Sequence, residues 1–131
     1  MAPTTGHGKI CYVELPTDDV VHGDYSSSNF LVTEQGIAFV DCETVGRGTR
    51  VRDLADLYRQ CFIYPGTPAA AVDLLRDHAI RLAGLRVFTA CVVAVTYNNL
   101  AWWAENKSDT DFDVACGRAK QLLEACADLS R

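Results

Sequence analysis

The sequence predicts an α+β chain, mostly helical, with short strands before Thr44 and about four helices after Arg50. Three observations carry this. Two short apolar runs, Phe30–Thr33 and Ile37–Asp41, flank Glu34-Gln35-Gly36, which reads as a hairpin turn. From Val51 the apolar period changes, and Leu54, Leu57, Tyr58 and Cys61 recur at spacings of three and four. Breakers at Pro65-Gly66 and Gly84, and a capping residue at Ser108 or Asp109, then divide the rest into helix-length pieces.

In chain order, residues 18–22 read as a short strand and Gly23–Ser28 as the polar stretch that breaks it. The hairpin follows, then Thr44–Arg50, a loop with two glycines. The first helix runs from Val51 and ends at Pro65-Gly66. Thr67 caps the second, with Pro68 at its first position, where a missing N–H costs nothing. It ends near Ala83, and Gly84 stops it. A long apolar helix spans about Arg86 to Asn106. The last reaches about Asp128, with Asp111 and Asp113 in a first turn whose dipole favours acids.

A chain of 131 residues, 49% hydrophobic and 22% charged, can bury a core without disulfides or a structural metal. One domain over 1–131 is expected, with a leader at 1–17 and a helical tail at 61–131. A net charge of −5 argues against a nucleic-acid partner, which would want a basic face. The best membrane candidate, Val87–Trp103, is interrupted by Thr96, Asn98 and Asn99 and falls short of about 20 residues, so no membrane partner is expected. Met1–Gly8 has no basic region followed by an apolar core, so no secretory signal is read there. The six cysteines form no CxxC pair and no zinc spacing. They read as buried free thiols in a reducing cytosol, and the expected location is cytoplasmic.

The chemistry lies between His22 and Ala55. Asp24 follows the first strand, Asn29 comes five residues later at the start of the hairpin, and Asp41 ends it, with Glu43 just beyond. A hairpin returns the chain to its origin, so Asn29 and Asp41 become neighbours and Asp24 feeds the same mouth. Oxygen ligands converging in this way suit a hard cation. Magnesium fits better than calcium, because it takes one or two carboxylates and completes its shell with water and phosphate. The order Asp, Asn, hairpin, Asp is also that of kinase catalytic loops, where the first Asp orients a hydroxyl and the other two hold metal. The bland alternative is that Asp24 and Asn29 are turn residues and Asp41 merely ends a strand.

The stretch resembles the catalytic lobe of the aminoglycoside phosphotransferase and choline kinase-like family. The residues that carry the resemblance are His22-Gly23-Asp24, Asn29, Asp41-Cys42-Glu43, the Gly46–Gly48 loop, and Asp53-Leu54-Ala55 opening a helix. It covers residues 18–60 closely, as catalytic and metal loops. The resemblance implies a protein-kinase-like C-terminal lobe, ATP as co-substrate and magnesium as cofactor. Asp24 would accept or orient the proton of a small-molecule hydroxyl. Asn29 and Asp41 would bind magnesium on the ATP phosphates. His22 and Asp53 would support the loop, and Glu43 would stand behind the metal ligands or face the substrate. The acceptor would be an aminoglycoside-like antibiotic, a sugar or an amino alcohol.

A kinase also needs a lobe that grips ATP, with a Gly-rich hairpin and a strand lysine. Only 21 residues precede His22, and Lys9 is the only lysine among them. Gly6-His7-Gly8-Lys9 is no P-loop, because Pro3 and Ile10 stand where Gly and Ser or Thr belong. The N-terminal nucleotide lobe is therefore expected to be absent, leaving an incomplete enzyme. A homo-oligomer or a partner lobe would then cover the exposed surface. The rival is a non-catalytic binding module on the same fold. Of the remaining candidates, one of Trp102 and Trp103 is expected in the core. Asn98 and Asn99 read as hydrogen-bonded packing residues, His78 as surface, and Asp109–Asp113 as a solvated helix start. Arg47, Arg50 and Arg52 read as surface or loop braces.

Overall fold

The structure, a computed structural model, describes residues 13–131. Four strands come first: β1 Asp19–Val21, β2 Phe30–Thr33, β3 Gly36–Phe39 and β4 Gly46–Gly48. Four helices follow: α1 Arg50–Ile63, α2 Ala69–Ala83, α3 Leu85–Asn106 and α4 Asp109–Asp128. The α+β, mostly helical reading holds.

The strands form two antiparallel ribbons. β2 and β3 make the expected hairpin, with Phe30 opposite Phe39 and Thr33 opposite Gly36. The second ribbon is a correction, because the stretch read as a loop at Thr44–Arg50 contains β4, which pairs with β1 and sets Val21 against Gly46 and Asp19 against Gly48. Gly-Arg-Gly has no apolar alternation to reveal a strand. The pairing instead depends on close approach, since a Cβ at Gly48 would lie 2.9 Å from a Val21 methyl. Arg50, just past β4, pairs with Asp19 and holds its carboxyl below the usual carboxylate range.

The helices close one core. Val51, Ala55 and Tyr58 recur along one face of α1, and Phe88, Cys91, Val92 and Val95 along one face of α3. Ala79 of α2 and Leu122 and Cys126 of α4 complete it. Phe88 and Leu122 are wholly buried, each worth about 1.5–3 kcal/mol in transfer free energy. The Tyr58 ring meets Phe88 edge-on at 5.2 Å. Burial there pushes the Tyr58 hydroxyl up to about 12. The thiols of Cys91 and Cys126 are raised for the same reason.

Several details depart from the sequence reading. α2 starts one residue late, at Ala69, with Pro68 as its cap residue, and Thr67 does not cap it. In α4 the first turn holds Asp109 and Asp111, and Asp113 lies beyond it. Ser108 caps α4 by accepting the Asp111 amide at 3.2 Å. Only Cys91 and Cys126 are buried thiols. Cys42 is exposed, Cys61 and Cys116 are half-buried, and Cys11 lies outside the described residues, as do Lys9 and its neighbours. Neither Trp102 nor Trp103 enters the core, whereas His78 is on the surface as expected. α3 is longer than its uninterrupted apolar run. At 22 residues, with an 18-residue stretch of mean hydropathy 1.2, it is long and apolar enough to cross a membrane, although its inner face forms the core with α1.

Candidate functional site

The loop between β1 and β2 is pinned from below by α1. Asp53 sits in the first turn of that helix, and its carboxylate accepts the backbone N–H of His22 at 2.7 Å and of Gly23 at 3.1 Å. Two turns further on, Gln60 faces the same loop. Its amide nitrogen donates to the Tyr25 carbonyl at 3.0 Å, and its amide oxygen accepts the Ser27 N–H at 2.9 Å. Asp24 lies between these two clamps, with its side chain exposed.

The hairpin pins the loop from above. The His22 ring Nε2–H donates to the Val40 carbonyl at 2.9 Å, and the Asn29 carbonyl accepts the Val40 N–H at 3.0 Å. Thr44 donates its hydroxyl to the His22 carbonyl at 2.7 Å. Gly23 has φ of +85°, and a Cβ there would stand 2.6 Å from the Thr44 carbonyl oxygen, so this position requires glycine. Tyr25 stacks on Phe39 at 5.6 Å, and Phe30 meets both rings edge-on. That aromatic cluster fastens the loop to the hairpin with apolar contact as well as hydrogen bonds.

Asn29 is buried, and its amide nitrogen donates to the Asp24 carbonyl at 3.1 Å. The amide N–H₂ is thus engaged, and the hard carbonyl oxygen is left as the donor a cation could use. Asp41 lies one residue beyond Val40, in the left-handed region at φ 58°. Asp tolerates that region better than most residues, but for a non-glycine it still marks a special position. Its carboxylate is exposed, as is that of Glu43 in the 3₁₀ turn Cys42–Thr44. Among the described residues no three His, Cys, Asp or Glu side chains converge. An ion held by Asn29 and Asp41 alone would complete its shell with phosphate oxygens and water, which is the coordination magnesium prefers.

A cleft of about 620 Å³ opens beside the loop, walled by α1, α3 and α4. Of the residues singled out for catalysis or metal binding, only Asp24 lines it, and Asn29 and Asp41 do not. Trp102 and Trp103 both line the cleft, with Asn98 and Asn99, which the sequence had suggested as packing residues. Asp111, whose amide is capped by Ser108, also lines the cleft. Gln60 is the loop-bracing position that sequence reasoning missed. Its one signal was a polar residue on the helical stripe that begins at Asp53.

The loop, the hairpin and the first helix form one hydrogen-bonded unit. The profile of the APH phosphotransferase enzyme family matches residues 14–88, which is more than half of the chain, and the chain belongs to that family. The matched span runs through the strands, α1 and α2 into the first turn of α3. No curated protein and no solved structure gives a significant match.

Proposed function

We propose that the chain is the catalytic lobe of an ATP- and magnesium-dependent kinase that phosphorylates a hydroxyl on a small molecule. One observation carries the reading. The Asp53 carboxylate grips the His22 and Gly23 amides, so Asp24 is presented at the edge of a substrate-sized cleft while Asn29 is tied to its back.

In this reading the acceptor hydroxyl lies in the cleft with its hydrogen toward the Asp24 carboxylate. Its oxygen forms a bond to the γ-phosphorus as the bond from that phosphorus to the β–γ bridging oxygen breaks. ADP leaves, and the hydroxyl proton passes to Asp24. Asp24 supplies orientation above all, because phosphoryl transfer depends on positioning and charge stabilisation more than on a strong base. Magnesium, when bound, neutralises charge on the phosphates. Asn29 would offer it a carbonyl oxygen and Asp41 a carboxylate.

Among the described residues the only lysines, Lys107 and Lys120, lie in the helical half, so these residues supply no strand lysine for a nucleotide clamp. The hairpin offers a place where such a clamp could dock, since Val32 is 88% exposed and Ile37 66%. A second copy of the chain or a separate nucleotide lobe docked there would cover that surface.

The test is calorimetry of ATP with and without magnesium, on the parent chain and on Asp41→Asn. Binding that needs magnesium and vanishes in Asp41→Asn supports the kinase. Binding indifferent to both points to the non-catalytic module, and no binding at millimolar ATP means that the isolated chain lacks a nucleotide site.

A further inference from the structure

The wall of the cleft opposite the loop belongs to α3 and α4, almost all of it beyond the segment matched by the family profile, which ends at residue 88. Arg52, Arg59 and Arg118 line the cleft, together with Asp24, Asp56 and Asp111. Arg59 is engaged with Asp56, at 2.7 Å and 3.1 Å from its two nitrogens. Arg52 and Arg118 form no ion pair among the described residues.

Among the cleft's acids, Asp56 pairs with Arg59, whereas Asp111 accepts only the neutral Ser108 hydroxyl, at 2.8 Å, and keeps its charge, as does Asp24. The Lys107 ammonium stands 5.3 Å from the Trp102 ring and 5.8 Å from the Trp103 ring. Arg52 and Arg118, without an ion-pair partner among the described residues, line the same cleft as the two indoles.

From this we infer that the acceptor is an anionic hydroxyl compound, a hydroxylated carboxylate of sugar-acid size rather than a polyamine. Guanidinium forks match a carboxylate in two-point geometry, so Arg52 and Arg118 are the residues that would select it. The indoles offer apolar faces to a ring. The inference rests on the kinase reading only in treating the bound molecule as a phosphate acceptor. The charge preference belongs to the cleft itself and needs neither nucleotide nor magnesium.

The experiment uses three pyranoses that differ in charge, namely glucuronate, glucose and glucosamine, titrated against the whole chain by ligand-observed NMR without nucleotide. Glucuronate should bind about tenfold more tightly than glucosamine, the scale of one charge-assisted contact. Arg52→Gln and Arg118→Gln together should erase the difference, and Arg118→Lys, which keeps the charge, should retain part of it. Matching circular dichroism melts show that the variants fold. Equal affinities, tighter binding of glucosamine, no binding of glucuronate, or a preference that survives the double variant overturns the inference. Magnesium-dependent ATP binding is scored separately. A glucuronate preference without it removes the kinase reading and leaves an anion-selective cleft.

Discussion

Asp53→Ala should cost the chain a large share of its stability, although the residue touches no apolar core. Its carboxylate accepts two backbone amides, His22 at 2.7 Å and Gly23 at 3.1 Å, both half-buried. Each such bond to a charged acceptor is worth about 1.5–3 kcal/mol. Water can reach half-buried amides once the carboxylate is gone, so the lower end applies and the loss is about 3 kcal/mol. That is large against a typical total of about 5–15 kcal/mol. With a slope of about 2 kcal/mol per molar, the urea midpoint should fall by about 1.5 M without a change in slope. Asp53→Asn keeps one acceptor oxygen and turns an N–H₂ toward an N–H, so it should fall between parent and Asp53→Ala. The assay is urea unfolding followed by circular dichroism. A midpoint shift under about 0.3 M for Asp53→Ala would mean that the loop holds its shape without α1, and the account given for the placement of Asp24 would be wrong.

Three further outcomes are expected. Gly23→Ala should lower the melting temperature by about 5–10 °C, because the new methyl meets the Thr44 carbonyl at a positive φ; an unchanged melt would show that the loop can relax. Stability should fall as pH rises from about 10 to about 12, since Tyr58 loses its proton near 10 when unfolded and only at about 12 when folded, a loss of about 2 kcal/mol measured by urea unfolding across that range. Tyr58→Phe should flatten that part of the profile. Light scattering should show self-association that Val32→Ser with Ile37→Ser reduces, with the melt shifted by no more than about 2 °C, because both side chains face solvent; a parent chain that is already monomeric refutes this.

The helical half was legible because period, caps and breakers agree there. Leu54, Tyr58 and Cys61 announce α1, and Pro65-Gly66 ends it within a residue or two. The hairpin was legible because apolar runs flank a polar turn. β4 was not, because its pairing with β1 is made by backbone groups and by the lack of a Cβ at Gly48, neither of which has an apolar signature. The motif residues could be found as a pattern, but the pattern did not show that Asp24 would line the cleft and Asn29 and Asp41 would not. Nor could it reveal the charge of the far wall. Arg118 and Trp102 are far apart in sequence and meet the cleft only because α3 and α4 pack antiparallel.

Asn29 has a second duty that complicates any experiment on it. Its main-chain N–H donates to the Ser26 carbonyl, its own carbonyl accepts the Val40 N–H, and its side chain donates to the Asp24 carbonyl. It is the latch of the loop as well as a prospective ion ligand. An aspartate there would gain charge for the ion but lose the side-chain donor, and would set two acceptors face to face. Loss of ion binding in an Asn29 variant would thus be indistinguishable from a loop that had sprung open. Asp41, exposed at the hairpin's end, is the position where the proposed ligation can be tested on its own, and the same asymmetry would let mutation explore such a site from one side only.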